Sequence, residues 1–159
     1  MPEEGGSMLK GMQLILAHVG AKGGAKDGYE ALIREYVKRC SAYAECRAEG
    51  FRTEEVLVTW LGRLKGRAAP LTVLLDERGK AMSSQALAGW LGARRDEGAQ
   101  QIVFAVGPAD GWSDAARAQA SFVLSLGAMT LAHALARLVM AEQIYRALTI
   151  LAGHPYHRS

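Results

Sequence analysis

The chain has 159 residues, half of them hydrophobic and 7% aromatic, with a formal net charge of +3. That length supports one domain with a buried core, and the mildly basic balance is compatible with nucleic acid without requiring it. The two cysteines, Cys40 and Cys46, lack CxxC spacing, which argues against a structural zinc site and a disulfide framework, and no run reaches membrane-spanning length or forms a signal peptide, so the expected compartment is the cytoplasm.

Residues 1–11, MPEEGGSMLKG, are polar and glycine-rich and read as a disordered leader before a single domain, 12–159. MQLILAHV (12–19) is a short apolar run closed by glycine, the pattern of a buried strand, with His18 as a core histidine. GAKGGAKDG, from Gly20, reads as a flexible loop. It holds no GxGxxG, and Ala25 stands where a Walker A pattern would need glycine. YEALIREYVKRC (29–40) has apolar positions at 32, 33, 36 and 37, a helical stripe, and residues 42–50 leave room for a short strand. TEEVLVTWLGRLKG (53–66) reads as a helix capped by Thr53. LTVLLDERGK (71–80) is a strand running into a turn at Gly79, and 83–98 is a helix capped by Ser83 or Ser84. QIVFAVG (101–107) is another apolar strand, and PADGWS is a turn. A short helix from Ser113 leads to ASFVLSLG (120–127), a further strand. A long helix over 134–152 closes the chain, stopped by Gly153 and Pro155. The basic groups Lys38–Arg39, Arg63–Lys65–Arg67 and Arg94–Arg95 read as solvated helix faces.

Continuously apolar strands alternating with helices predict an α/β fold, a parallel sheet covered on both faces. In such sheets ligands sit beyond the carboxyl ends of the strands. Here those ends are Gly20, Leu75–Asp76, Gly107–Pro108 and Leu126–Gly127. The last helix carries Leu135, Leu138, Val139, Met140, Ile144, Leu148 and Leu151 on more than one side, which predicts a helix shared with a second copy of the chain. Glu142 and Arg146 are spaced to pair on one face of it.

Several chemistries are disfavoured. There is no GxSxG nucleophile elbow. His154 and His157 are separated by Pro155 and have no cysteine or carboxylate cluster beside them, so no metal is expected. Two stretches stand out: LGAMTLAHALAR (126–137), a glycine-containing passage into a helix, and the tail AGHPYHRS (152–159), whose histidines, tyrosine and arginine have no evident packing role.

LGAMTLAHALARLVMAEQIYRALTILAGHPYHR resembles the C-terminal signature of the RlmH-type methyltransferases of the SPOUT class. The likeness runs in order from Met12 to Arg158, through MQLILAHVG, LLDERGK and VGPADG, and is weak over 42–66. The resemblance implies a C-terminal trefoil knot, S-adenosyl-L-methionine as cofactor, and methylation of N3 of a pseudouridine in 23S ribosomal RNA on assembled ribosomes. It assigns the cofactor to Leu75, Gly107, Leu126, Gly127, Ala128, Met129, Thr130 and Leu131. His133 and Arg137 lie close to those loops. It also implies a homodimer. The tail residues His157, Tyr156 and Arg158 suit acid–base work, base positioning and phosphate or carbonyl contact, in that order. Two positions depart from the family pattern: Gly107 is followed directly by Pro108 where a second glycine is common, and Ala132 stands where proline usually precedes the signature histidine. The alternatives are a knotted methyltransferase for another RNA such as transfer RNA, and a non-catalytic dimer that binds the cofactor.

Overall fold

The computed structural model describes residues 9, 11–20, 27–64 and 68–158. Most of the expected leader (1–8 and 10), most of the glycine loop (21–26), residues 65–67, which include the last two of the helix expected over 53–66, and Ser159 lie outside the described residues.

The described elements follow the expected order. They are β1 (Gln13–Val19), α1 (Gly28–Cys40), β2 (Glu45–Phe51), α2 (Glu54–Arg63) and β3 (Leu71–Ala81), followed by α3 (Ser84–Asp96), β4 (Gln101–Val106), α4 (Asp114–Gln119), β5 (Phe122–Ser125) and α5 (His133–Ala152). The strands pair in the order β2-β1-β4-β3-β5, and every pairing is parallel.

Side chains along a strand alternate between faces, and both faces here are apolar. Leu14, Leu16, Val73, Leu75, Ile102, Phe104, Val106 and Leu124 form one core with Leu87 and Leu91 of α3 and Met140, Ile144 and Leu148 of α5. Ile15, Ala17, Val19, Leu74, Val103 and Ala105 form the other with Leu57 of α2 and Trp112. This two-sided burial is why the strands read as continuous apolar runs. Leu9, within the expected leader, is 1% exposed and packs into the first core.

The helix starts follow local capping chemistry. Side-chain oxygens of Asp27, Thr53, Ser83 and Ser113 accept from backbone N–H groups two or three residues on. Ala132 offers no such bond to α5. That helix ends at Gly153, whose φ of 73° is one glycine favours; its N–H donates to Ile150 O (3.1 Å) and that of His154 to Thr149 O (2.9 Å).

One irregularity shapes the ligand edge. Leu124 of β5 faces both Leu75 and Lys80 of β3, so residues 76–79 are looped out of the ladder. Parallel pairing brings the carboxyl ends of β1, β4, β3 and β5 to one side, with Val106 opposite both His18 and Leu75.

Candidate active site

A cleft of about 560 Å³ opens at that side of the sheet, a volume suited to a cofactor-sized molecule. Three segments build it: 75–78 at the break within β3, 106–112 from the end of β4, and the passage from Leu126 into α5. Of the residues expected to hold cofactor, Leu75, Gly107, Leu126, Gly127, Met129, Thr130 and Leu131 line it, while Ala128 is exposed and does not. His133 lines it too, at the first turn of α5.

The floor is rigid. The Trp112 indole, 5% exposed, donates through Nε1 to the Leu75 carbonyl at 3.0 Å. Arg117 Nη1 donates to the Trp112 carbonyl at 3.0 Å. A Cβ on Gly107 would lie 2.7 Å from the indole Nε1, so the glycine is required by close approach. Gly127 is required by conformation instead, with φ at 133°. The Ser125 hydroxyl holds that turn by accepting from Gly127 N–H at 3.1 Å and donating to Gly127 O at 3.0 Å.

The rim is polar. Asp76 accepts from Arg78 Nε and Nη2 at 3.0 and 2.9 Å and from Arg78 N–H at 2.9 Å. The Arg78 side chain holds the Asp76 carboxyl below the ordinary aspartate value. Thr130 Oγ1 donates to Glu77 Oε2 at 3.2 Å, tying two walls together across the mouth. Behind the cleft, Arg137 and Glu30 form a buried ion pair, 7% and 3% exposed. The His133 ring meets His18 edge-on at 6.0 Å. Its Nε2 is shielded and has no hydrogen-bond partner among the described residues.

The tail does not enter this cleft. It folds back on the far half of its own α5. Tyr156 OH donates to Glu142 Oε2 at 2.7 Å, and its ring meets Tyr145 at 4.7 Å between centroids. The Tyr156 and Tyr36 hydroxyls are 3.5 Å apart. Arg146 donates to Glu142 at 2.7 Å, stacks over the Tyr156 ring at 4.8 Å, and contacts His157 Nδ1 at 3.1 Å. Burial, then the hydrogen bonds with Tyr36 and Glu142, push the Tyr156 phenol above the ordinary tyrosine value. Arg158 is exposed. From His133 to Glu142 and Arg146 the helix rises roughly 13–20 Å. The structure thus separates the two expected groups of residues within one chain. Among the described residues no group of three or more His, Cys, Asp and Glu could hold a metal ion.

Comparison with known proteins names the fold. A sequence model described as "Predicted SPOUT methyltransferase" matches residues 12–157. The chain belongs to the SPOUT methyltransferase family. A protein of Koribacter versatilis (strain Ellin345) named ribosomal RNA large subunit methyltransferase H is 49% identical over 128 residues, covering 80% of this chain and 87% of the relative. One of the same name from Sinorhizobium medicae (strain WSM419) is 46% identical over 142 residues, covering 87% and 83%. Among solved structures, the SpoU methyltransferase AviRb of Streptomyces viridochromogenes, in complex with AdoMet, superposes with a TM-score of 0.51 at 13% identity. The match covers 90% of this chain and 58% of that one, and it supports the SPOUT fold.

Sequence reasoning missed the features that span the chain. Glu30 and Arg137 are 107 positions apart and carry no shared local signal. Trp112 stood in a stretch read as a turn; a large indole just after a glycine-flanked turn was the available hint.

Proposed function

We propose that this SPOUT methyltransferase uses S-adenosyl-L-methionine to methylate N3 of a pseudouridine in 23S ribosomal RNA on assembled ribosomes in the cytoplasm. The observation that carries the reading is the cleft at the strand ends, lined by seven of the eight residues expected to hold the cofactor. The names of the relatives support large-subunit ribosomal RNA as substrate, and the free thiols Cys40 and Cys46 fit a reducing compartment.

The cofactor fits the residues present. Leu75, Val106, Leu126 and Leu131 offer apolar walls, Gly107 and Gly127 bare backbone, and Glu77, Arg78 and Asp110 a polar rim. When bound, S-adenosyl-L-methionine supplies a methyl group activated on a sulfonium. The chain must hold N3 of the base in line with that methyl, and full orientation lowers the barrier by roughly 7 kcal/mol or more. It must also ease loss of the N3 proton. Tyr156 positions the base, His157 meets its reacting edge, and Arg158 contacts phosphate or carbonyl oxygen.

The working unit in this reading is a homodimer. Leu135, Leu138 and Val139 of α5 remain part-exposed outside both cores, and Tyr29 and Leu32 of α1 are 40% and 48% exposed. Because each tail lies far along α5 from its own cleft, each serves the cleft of the partner copy. A chain truncated after Gly153 and a chain carrying Leu126→Arg are each inactive alone on this account. Verified heterodimers of the two regain activity at one site. No restored activity in them contradicts the composite site.

A further inference from the structure

We infer that Arg146 fixes the tautomer of His157, so that the tail histidine carries its proton on Nε2 and acts as a hydrogen-bond donor rather than a base. This rests on the reading of His157 as a group that meets the RNA base.

The geometry begins at Glu142. Its Oε2 accepts from Arg146 Nη2 at 2.7 Å and from Tyr156 OH at 2.7 Å. One carboxylate therefore orients both a tail residue and the guanidinium beside the next one. The guanidinium also stacks on the Tyr156 ring at 4.8 Å. Held this way, Arg146 Nη1 lies 3.1 Å from His157 Nδ1. A guanidinium has N–H donors and no acceptor. Nδ1 must therefore accept, with a free lone pair. A neutral imidazole that accepts at Nδ1 is protonated at Nε2. A proton on Nδ1 would set two N–H groups against each other at this contact. His157 Nε2 is shielded and has no partner among the described residues. An unmet buried N–H of this kind is unfavourable, and an acceptor supplied by substrate satisfies it.

The chemical consequence follows. As the imide N3 loses its proton, negative charge spreads onto the flanking carbonyl oxygens. An N–H aimed at one of these oxygens stabilises that charge without taking the proton. The proton leaves to solvent, and the His157 ring is unchanged in charge throughout. Arg146 is a positioning residue and acts through His157; Glu142 acts through Arg146.

The test is nitrogen-15 NMR on the full chain with labelled histidine, using His157→Gln to assign the resonance among the four histidines. The expected wild-type signature is an unprotonated Nδ1 and a protonated Nε2. Arg146→Ala loses the bias and gives mixed tautomers, while Arg146→Lys, which keeps a donor, retains it. In methyl transfer, Arg146→Ala lowers kcat on the order of 10²-fold with KM for the cofactor unchanged, and Arg146→Lys recovers most of the loss. Where Arg146→Ala fails to fold, Glu142→Gln loosens the same clamp and shows partial mixing. A wild-type ring protonated on Nδ1, or an unchanged signature in Arg146→Ala, overturns the inference. Wild-type chain inactive on ribosomes while the tautomer pattern holds contradicts the functional reading instead.

Discussion

Gly107→Ala tests the floor of the cleft with a single methyl group. The added Cβ would lie 2.7 Å from Trp112 Cε2 and Nε1 and 3.0 Å from Cδ1. Comfortable carbon contacts are about 3.5–4.0 Å, so the indole must retreat by roughly 1 Å. The ring is rigid and 5% exposed, with core side chains around it. Its retreat stretches the 3.0 Å bond from Nε1 to the Leu75 carbonyl beyond useful length. Overpacking of this kind costs about 1–3 kcal/mol and a lost hydrogen bond about 1 kcal/mol more. The expected destabilisation is therefore about 2–4 kcal/mol, read from urea denaturation at unchanged m-value. Leu75 and Gly107 both line the cleft, so titration calorimetry should also show weaker cofactor binding. Gly89→Ala is the control: it sits in α3, a Cβ there meets nothing within 4 Å, and helix propensity makes it neutral or up to about 1 kcal/mol stabilising. A Gly107→Ala chain as stable as wild type, with unchanged cofactor affinity, refutes the reasoning.

Other consequences are equally accessible. Arg137→Ala strips a buried carboxylate of its guanidinium partner and should cost about 3–5 kcal/mol in urea unfolding; the double variant Glu30→Gln/Arg137→Met should recover much of that. Asp76 has its folded pKa lowered by Arg78, so its contribution to stability is full above the ordinary aspartate value of 3.8 and is lost as pH falls below that through the lowered folded value. The stability gap between wild type and Asp76→Asn should close over that acid window and stay flat near neutrality. Tyr156 is shifted the other way from an ordinary value of 10.0; its contribution is full below that value and is lost as pH rises through the raised folded value. Burial also raises the Tyr43 phenol, so ultraviolet titration should show two tyrosines ionising above the ordinary value in wild type and one fewer in Tyr156→Phe.

The parallel sheet and the ligand edge were legible because both depend on local pattern. β1, β3 and β4 are buried on two faces, and their unbroken apolar runs announce it. Thr53, Ser83, Ser113 and Gly153 mark helix ends by chemistry confined to a few neighbours. The loop-out at 76–79 was not legible, since it depends on β5 pairing with β3 twice across some fifty intervening residues. The Glu30–Arg137 pair is equally non-local. Met140, Ile144 and Leu148, read as part of a shared helix, are buried by the chain's own sheet, which leaves Leu135, Leu138 and Val139 as the dimer argument. A knot is a property of how loops thread, so no strand pattern signals it; that expectation comes with the family. The tail's residue types were legible, but its docking on Glu142 and Arg146 was not.

The most direct test of the central claim uses ribosomes from a strain lacking this gene. Purified chain and radiolabelled S-adenosyl-L-methionine are added, and the label is mapped in the ribosomal RNA. The account predicts one methyl group per large subunit, on N3 of a pseudouridine in 23S RNA, with none transferred by a chain truncated after Gly153. Label on transfer RNA, or cofactor binding with no transfer to ribosomes, would contradict it.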